Sequence, residues 1–243
     1  ENLKNLEINL KFLYNETYLK KMKQFNNIYI IGTSHVAKES ILRVKENFSK
    51  INPDIIALEL DRNRVYALEH NIKRPKNFDL LKQLGLNGFL FFLFGEFIQT
   101  KIGKVVKIDP GAEMKEALDL AKNNQKKIAL IDREINITLK RFSKYFKKRE
   151  IINILIDTIK NPLKNQTKFD LTTIPSDELV SIIVNHAKTR YPSLFKILID
   201  ERDKFMANKL TVISKNHPED KILAVVGAGH VNGMLTYLKE NFI

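Results

Sequence analysis

Short apolar runs alternate with segments of helical periodicity along this chain. Their length and their β-branched composition are typical of buried strands. The runs that we predict to be strands span residues 27–32, 54–60, 127–132 and 221–227. Between the first two runs, Ile41, Val44 and Phe48 recur at the spacing of one helical face. A strand, a helix and a second strand in this order predict a parallel pair with a covering helix.

The rest of the chain adds further helices to this pattern. Residues 113–122 carry apolar side chains on one helical face, and a second helix is predicted at 233–239. Between about 137 and 216 the pattern is almost wholly helical, with breaks at Pro162, Pro175 and Pro192. We therefore expect an α/β fold in one domain over residues 1–243. Its central sheet is mixed and largely parallel, is built from both ends of the chain, and is interrupted by a helical insertion over about 137–216.

Composition narrows the chemistry that this fold can perform. The chain has no cysteine, which excludes a disulfide scaffold, a thiolate nucleophile and a cysteine-ligated zinc or iron–sulfur site. Histidines and carboxylates must therefore hold any metal ion. Lys and Arg number 41 against 28 Asp and Glu, for a formal charge of +13. These positive charges are scattered along the chain, which favours a solvated surface over a nucleic-acid interface.

The most apolar segment, residues 84–98, is rich in phenylalanine. It is shorter than the about 20 residues of a membrane span and is interrupted by Asn87, Gly95 and Glu96. We interpret it as a buried helix or an exposed apolar lip, which could bind a peptide or form a homodimer surface. We expect this chain to be a soluble domain, with any membrane anchoring supplied by segments outside it.

Two strands end in the same way, each placing a histidine just beyond its carboxyl end. The first ends Gly32–Thr33–Ser34–His35 and the last ends Gly227–Ala228–Gly229–His230. The second strand ends with Glu59 and Asp61. Binding sites of open α/β sheets form at this edge, and two imidazoles with a carboxylate suit a divalent metal with open positions. A single histidine of this kind is more often structural, so the pattern leaves a metal site, a general base and a structural role open.

Three charged clusters follow the predicted strands or lie in the helical region. They are Asp61–Arg62–Asn63–Arg64, Asp132–Arg133 and Glu201–Arg202–Asp203. One interpretation is ordinary pairing between residues three or four apart on a helix surface. The other is that the guanidinium groups hold a substrate carboxylate or orient the glutamate of the site.

Six short motifs in a fixed order resemble those of a known family. The motifs are Gly32–Thr33–Ser34–His35 with Ser40; Pro53–Asp54 leading into Glu59–Leu60–Asp61 and Arg64; Pro110–Gly111–Ala112–Glu113–Met114 with Ala117; Asp132–Arg133 with Thr138–Leu139; Glu201–Arg202–Asp203 with Met206; and Gly227–Ala228–Gly229–His230–Val231 with Gly233. With these motifs, spread over about residues 27–240, the chain resembles the TraB/PrgY/GumN superfamily and is closest to its TraB-like branch.

The resemblance implies functions that composition alone does not. The superfamily includes Tiki-type metal-dependent proteases, which need paired Gly–x–x–His motifs and a glutamate for activity. Its fold is similar to that of the erythromycin esterase and ChaN groups, where a histidine and a glutamate serve hydrolysis or haem binding. TraB and PrgY are associated with peptide pheromone shutdown, and many TraB-like relatives carry hydrophobic spans after the last motif. Carried onto this sequence, the implied site residues are His35, Glu59 and His230.

The resulting hypothesis is a metal-dependent hydrolase of peptide-like or protein substrates. His35 and His230 would bind manganese, cobalt or zinc, and Glu59 would be either the third metal ligand or the general base for the bound water. His35 and Glu59 are the candidate catalytic residues. The candidate substrate-binding or supporting residues are Arg62, Arg64, Arg202, Asp132, Arg133, Glu113 and Glu201, with Asp203 as a further weaker candidate.

Two other function classes compete with this hypothesis. A non-enzymatic protein of the same fold could sequester a peptide, or bind haem through a histidine. Saturable peptide binding without cleavage products would favour the first version, and a Soret band on haem titration the second. Nucleic-acid binding, which rests only on the charge of +13, predicts steeply salt-dependent binding and ranks lowest.

Overall fold

The structure, a computed structural model, describes most of the predicted α/β core. The described residues are 22–34, 38–70, 111–147, 149–150, 152–153, 156 and 177–242. His35, the Phe-rich segment 84–98, and the predicted breaks at Pro162 and Pro175 lie outside these ranges.

Five strands of the described chain form one sheet in the order β1-β2-β5-β3-β4. The strands are β1 (Met22–Phe25), β2 (Ile28–Thr33), β3 (Ile55–Leu58), β4 (Lys127–Leu130) and β5 (Ile222–Gly227). The pairs β2·β5, β5·β3 and β3·β4 are parallel, whereas β1 pairs antiparallel with β2. The predicted mixed, largely parallel sheet is confirmed, and both ends of the described chain contribute to its centre.

Helices cover both faces of this sheet. They are α1 (Lys38–Ile51), α2 (Arg62–Glu69), α3 (Ala112–Asn123), α4 (Ile135–Tyr145), α5 (Asp177–Arg190), α6 (Pro192–Phe195), α7 (Glu201–Asn216) and α8 (Val231–Asn241). A π-helical turn, Lys196–Asp200, leads into α7, and a 3-10 turn, Ala228–His230, leads into α8. The elements described between β4 and β5 are all helical, while the predicted limits of the insertion and of the domain stay predictions. In the described ranges, no helix has the length and apolarity that crossing a membrane requires.

The core has one apolar layer on each side of the sheet. On one side, Met206 and Leu210 of α7 pack with Met234 of α8 against the sheet. On the other, Val44 of α1 and Met114 of α3 pack on the opposite side chains of the same strands. Because both faces are covered, the central strands are apolar at nearly every position, which explains their unbroken hydrophobic runs.

The strands differ from the prediction at the edge that carries the charged residues. The run predicted over 54–60 ends as a strand at Leu58, because the Leu60 amide turns back and donates to the Leu58 carbonyl at 2.7 Å. The strand β1 was not predicted, since it is a short edge strand joined to β2 through Asn26 with φ 52°. Glu59 directly follows the end of β3, and its amide still donates to the Val225 carbonyl of β5 at 3.1 Å.

Candidate functional site

Glu59 lies where the carboxyl ends of the neighbouring strands β3 and β5 meet. Its side chain is buried, and its Oε2 accepts a hydrogen bond from the Gly227 amide at 2.6 Å. Its own amide donates to the Val225 carbonyl at 3.1 Å. The end of β5, which leads directly to His230, therefore fixes both the backbone and the carboxylate of Glu59.

His230 closes the 3-10 turn after β5 and is held between two carboxylates. Its Nδ1 lies 2.5 Å from Asp203 Oδ1, and its Nε2 lies 3.3 Å from Glu59 Oε1. Burial lowers the pKa of His230, but the charge of Glu59 and the hydrogen bonds to Asp203 and Glu59 outweigh it and raise the pKa to about 9. Burial also raises the pKa of Asp203, so this pair holds a proton tightly.

Arg202, from the first turn of α7, joins Glu59 to a second strand end. Its Nη2 donates to Glu59 Oε1 and, at 2.7 Å, to Asp132 Oδ2. Its Nε donates to Asp132 Oδ1 at 3.1 Å, and its Nη1 lies 3.1 Å from His230 Nε2. Burial lowers the pKa of Arg202, but Glu59 and Asp132 raise it above the ordinary value. The buried guanidinium therefore stays charged.

Asp132, just beyond β4, accepts hydrogen bonds from arginine side chains of two helices, α2 and α7. Besides Arg202 it accepts from Arg64, whose Nε also donates to Asp61 Oδ2 at 2.8 Å. Burial raises the pKa of Asp132, but Arg202 and Arg64 lower it below the ordinary value. Asp61 caps α2 by accepting from the Arg64 amide at 3.0 Å. Three strand ends and the starts of two helices thus share one buried charged cluster.

A second network lies beside this cluster and is built on Glu201. Arg133 donates to Glu201 Oε2 at 3.0 Å and to the Ile197 carbonyl of the π-helical turn at 2.6 Å. Arg141 of α4 donates to both oxygens of Glu201 at 2.5 Å. Burial raises the pKa of Glu201, but Arg141 and Arg133 lower it overall. The network fixes the start of α7, from which Arg202 reaches the cluster.

The backbone that leads to His35 is held by the helix that follows it. Ser40 Oγ of α1 donates to the Ser34 carbonyl at 2.7 Å and accepts from the Ser34 amide at 2.9 Å. Arg43 of the same helix donates to the Gly32 carbonyl at 3.0 Å. These contacts fix residues 32–34 at the edge where the charged cluster lies.

Replacing Ser40 with alanine is expected to lower the free energy of unfolding by about 1–2 kcal/mol, because it leaves two backbone groups of Ser34 without their partner. Chemical denaturation measures this loss. Ser49, which is exposed near the end of the same helix, is the matched control, and its replacement with alanine should change stability by less than about 0.5 kcal/mol. Equal effects of the two substitutions would contradict the role given to Ser40.

The structure brings together only some of the residues that the sequence singled out. Glu59, His230, Arg64, Asp132 and Arg202 meet in the charged cluster, and Arg133 and Glu201 form the network beside it. The interpretation of Glu201–Arg202–Asp203 as surface pairing within its helix is wrong for Arg202, which pairs across the fold.

The remaining predicted site residues are placed differently. Arg62 is exposed at the start of α2, and Glu113 is buried in the first turn of α3. His35 lies outside the described residues. Its predicted roles as a metal ligand and as a catalytic residue stay predictions.

The sequence motifs include Asp203 and Gly233 but did not predict the role that each has in the site. Asp203, only a weaker candidate, is the residue that orients His230. Gly233 of α8 passes so close to Asp203 that a Cβ built on it would lie 2.0 Å from Asp203 Oδ2. A glycine inside an otherwise regular helix lowers the stability of the protein relative to alanine. Its presence in the predicted helix was therefore the signal that another group packs closely against this position.

Two described donors suit a shared metal ion. His230 Nε2 and Glu59 Oε1 are 3.3 Å apart, near the about 3.4 Å that separates two ligands each about 2.1 Å from one tetrahedral ion. Asp203 on the other ring nitrogen is the kind of partner that metal-bound histidines have. Within the described part of the chain, no three histidine or carboxylate groups are arranged to hold an ion. Glu59 and His230 are thus the two described residues whose donor atoms meet, and the predicted metal site, with His35 as a further ligand, stays a prediction.

The fold and the charged cluster together define the class of this protein. It is an α/β protein with a buried charged site at the carboxyl ends of its parallel strands. Residues 19–241 match the model of the TraB/PrgY/gumN family, and the chain belongs to that family. The expected resemblance is therefore confirmed.

Individual proteins are also similar to this chain over most of its length. An uncharacterized protein of Methanocaldococcus jannaschii is 38% identical over 237 residues, which cover 91% of this chain and 57% of that protein. TraB domain-containing proteins of Mus musculus and Homo sapiens are each 23% identical, over 86% of this chain and 62% of their own length. The chain thus spans about three fifths of the length of these relatives.

Proposed function

We propose that this chain is a metal-dependent hydrolase of peptide-like substrates. The observation that carries the proposal is the convergence of Glu59 and His230 at the edge of the parallel sheet, with donor atoms 3.3 Å apart. Asp203 on the far side of the imidazole adds to it, because it fixes the ring and directs Nε2 toward Glu59.

The charge of the cluster also favours a divalent cation. Four carboxylates, those of Glu59, Asp61, Asp132 and Asp203, face two guanidinium groups, those of Arg64 and Arg202. With all of these ionised and His230 neutral, negative charges exceed positive charges by two. A proton on His230 would compensate half of this buried excess, whereas a divalent cation would compensate all of it.

In this proposal each side chain has a separate role. His35, Glu59 and His230 hold a manganese, cobalt or zinc ion, which when bound supplies Lewis acidity and a water of lowered pKa. Gly227 and Arg202 restrict the rotation of the Glu59 carboxylate, so that its Oε1 faces His230 Nε2 as the second ligand atom. Arg64, a third exposed, is the guanidinium best placed to attract a substrate carboxylate.

Metal content tests the proposal directly. We expect about one divalent ion per chain in protein purified without chelator or reloaded with Mn²⁺, Co²⁺ or Zn²⁺. His230→Gln and Glu59→Gln should each lower retention at least tenfold, because each removes a ligand. His217→Gln, which alters a partly exposed histidine directly after α7, is the control and should retain the ion. Circular dichroism establishes that the variants are folded. A wild-type protein that takes up none of the three ions would refute the metal-dependent mechanism.

Cleavage is a separate measurement. The loaded protein, incubated with a mixture of unstructured peptides and followed by mass spectrometry, should release fragments that Glu59→Gln does not release. Saturable peptide binding with no fragments would instead favour sequestration, the function of a binding protein of the same fold.

A further inference from the structure

We infer that Arg202 is an internal cation that competes with the metal ion for Glu59. This inference rests on the proposed metal site and concerns how that site regulates its own affinity. In the structure one guanidinium contacts both donor atoms, Glu59 Oε1 and His230 Nε2. Its Nη2 donates to Glu59 Oε1, and its Nη1 lies 3.1 Å from His230 Nε2.

These contacts leave no room for two cations between Glu59 and His230. The oxygen that accepts from Arg202 is the same Oε1 that lies 3.3 Å from the imidazole nitrogen. An ion that binds both atoms must displace the guanidinium from Oε1, since two positive charges in a buried site repel each other strongly. Arg202 therefore lowers the affinity for metal, because its own charge already compensates that of Glu59.

Arg202 has alternative partners that can hold it after displacement. Its Nε and Nη2 donate to the two oxygens of Asp132 at 3.1 and 2.7 Å, in the paired geometry that suits a guanidinium. Its Nη1 also donates to the Leu198 carbonyl of the π-helical turn at 3.1 Å. Because Nη2 serves both Glu59 and Asp132 and Nη1 serves both His230 and Leu198, the ion has to turn the guanidinium away from Glu59 and His230. The hydrogen bond from Nε to Asp132 Oδ1 can hold it during this movement.

Calorimetric titration with Co²⁺ at one fixed pH tests the competition. Arg202→Gln is expected to lower the Kd for Co²⁺ at least tenfold relative to wild type, because the ion no longer displaces a charge-assisted hydrogen bond. Arg64→Gln is the matched control. It removes the same charge from Asp132 in the same cluster, whereas the described contacts of Arg64 are with Asp61 and Asp132. Its effect on the Kd should stay below about threefold.

A conservative variant covers the case in which Arg202→Gln fails to fold. Arg202→Lys keeps a positive charge but lacks the planar set of N–H groups with which Arg202 donates to both Asp132 oxygens and to Glu59. It should bind Co²⁺ more tightly than wild type, by about threefold. Circular dichroism and thermal unfolding identify which variant is folded and therefore decides the result.

The outcomes separate the inference from the proposed function. Tighter binding by the Arg202 variant than by both wild type and Arg64→Gln supports the competition. If either folded Arg202 variant binds Co²⁺ no more tightly than wild type does, the inference is overturned. The proposed metal site is not contradicted by that result. Equal tightening by Arg64→Gln and Arg202→Gln also overturns it, because net charge alone would then set the affinity. No Co²⁺ binding by any of the proteins overturns both.

Discussion

Replacing Asp132 with alanine is expected to lower the free energy of unfolding by about 3–5 kcal/mol at neutral pH. Asp132 accepts from Arg202, from Arg64 and from the Arg133 amide, and its carboxylate is almost fully buried. Without it, the buried Arg202 loses one of its two carboxylate partners, and its charge is poorly compensated. Chemical denaturation with guanidinium chloride measures the loss.

An exposed pair provides the control for this prediction. Asp220 pairs with Lys127 at 2.9 Å, but the Lys127 side chain is 60% exposed, so replacing Asp220 with alanine should cost no more than about 1 kcal/mol. A loss at Asp132 no larger than the loss at Asp220 would contradict the buried coupling.

The contribution of Asp132 to the free energy of unfolding should also depend on pH. Its pKa is lowered in the folded protein, so its stabilisation is fully present above the unfolded pKa near 3.8. It is then lost as the pH falls from there through the lower folded pKa. The stability difference between wild type and Asp132→Ala should therefore be constant from about pH 5 to 7 and should shrink below about pH 3.8. A difference that grows with acidity would show that the carboxylate is not held in its charged form.

Replacing Gly233 with alanine is expected to lower the free energy of unfolding by about 2–4 kcal/mol. In an unobstructed helix the same change would add up to about 1 kcal/mol of stability. Here the new Cβ would lie 2.0 Å from Asp203 Oδ2 and 2.8 Å from its Cγ, so the carboxylate must move. The movement breaks its hydrogen bond to His230 Nδ1.

The imidazole reports this movement independently of stability. The hydrogen bond to Asp203 is one of the interactions that raise the pKa of His230 to about 9. An NMR titration of His230 in Gly233→Ala should therefore give a pKa below that of the wild type. An unchanged pKa together with lost stability would show that the clash is relieved elsewhere.

A double-mutant cycle assigns the cost to this contact. In an Asp203→Ala background the obstructing carboxylate is absent, so Gly233→Ala should become neutral or stabilising. If the cost of Gly233→Ala persists in that background, Asp203 is not the residue that Gly233 accommodates.

Much of the fold could be predicted from local patterns in the sequence. Val44 and Phe48 at helical spacing, between two apolar runs, indicated a strand–helix–strand unit, and the helix runs from Lys38 to Ile51. The antiparallel edge strand β1 was missed because it is four residues long and only partly buried, which gives a weak periodic signal. The exact end of β3 was missed because the tight turn at Leu60 depends on its neighbours.

Of the site, the sequence could predict only its position at the carboxyl edge of the parallel strands. The apolar runs over 54–60 and 221–227 placed Glu59 and His230 at carboxyl ends of strands, because side chains at that edge follow from strand direction alone. Which strands are neighbours did not follow, since the order β2-β5-β3 depends on the packing of the whole chain. That order is what brings the Gly227 amide to the Glu59 carboxylate.

The sequence by itself determined the α/β class, the family and the residue types available for chemistry, because apolar periodicity and short motifs are local properties of a chain. The tertiary structure decided which charges meet. Arg202 reaches Glu59 across 143 positions of sequence, and Asp203 reaches His230 across 27. Such contacts leave no periodic trace, since a buried ion pair is specified by the distance between two atoms in the folded protein and not by their spacing along the chain.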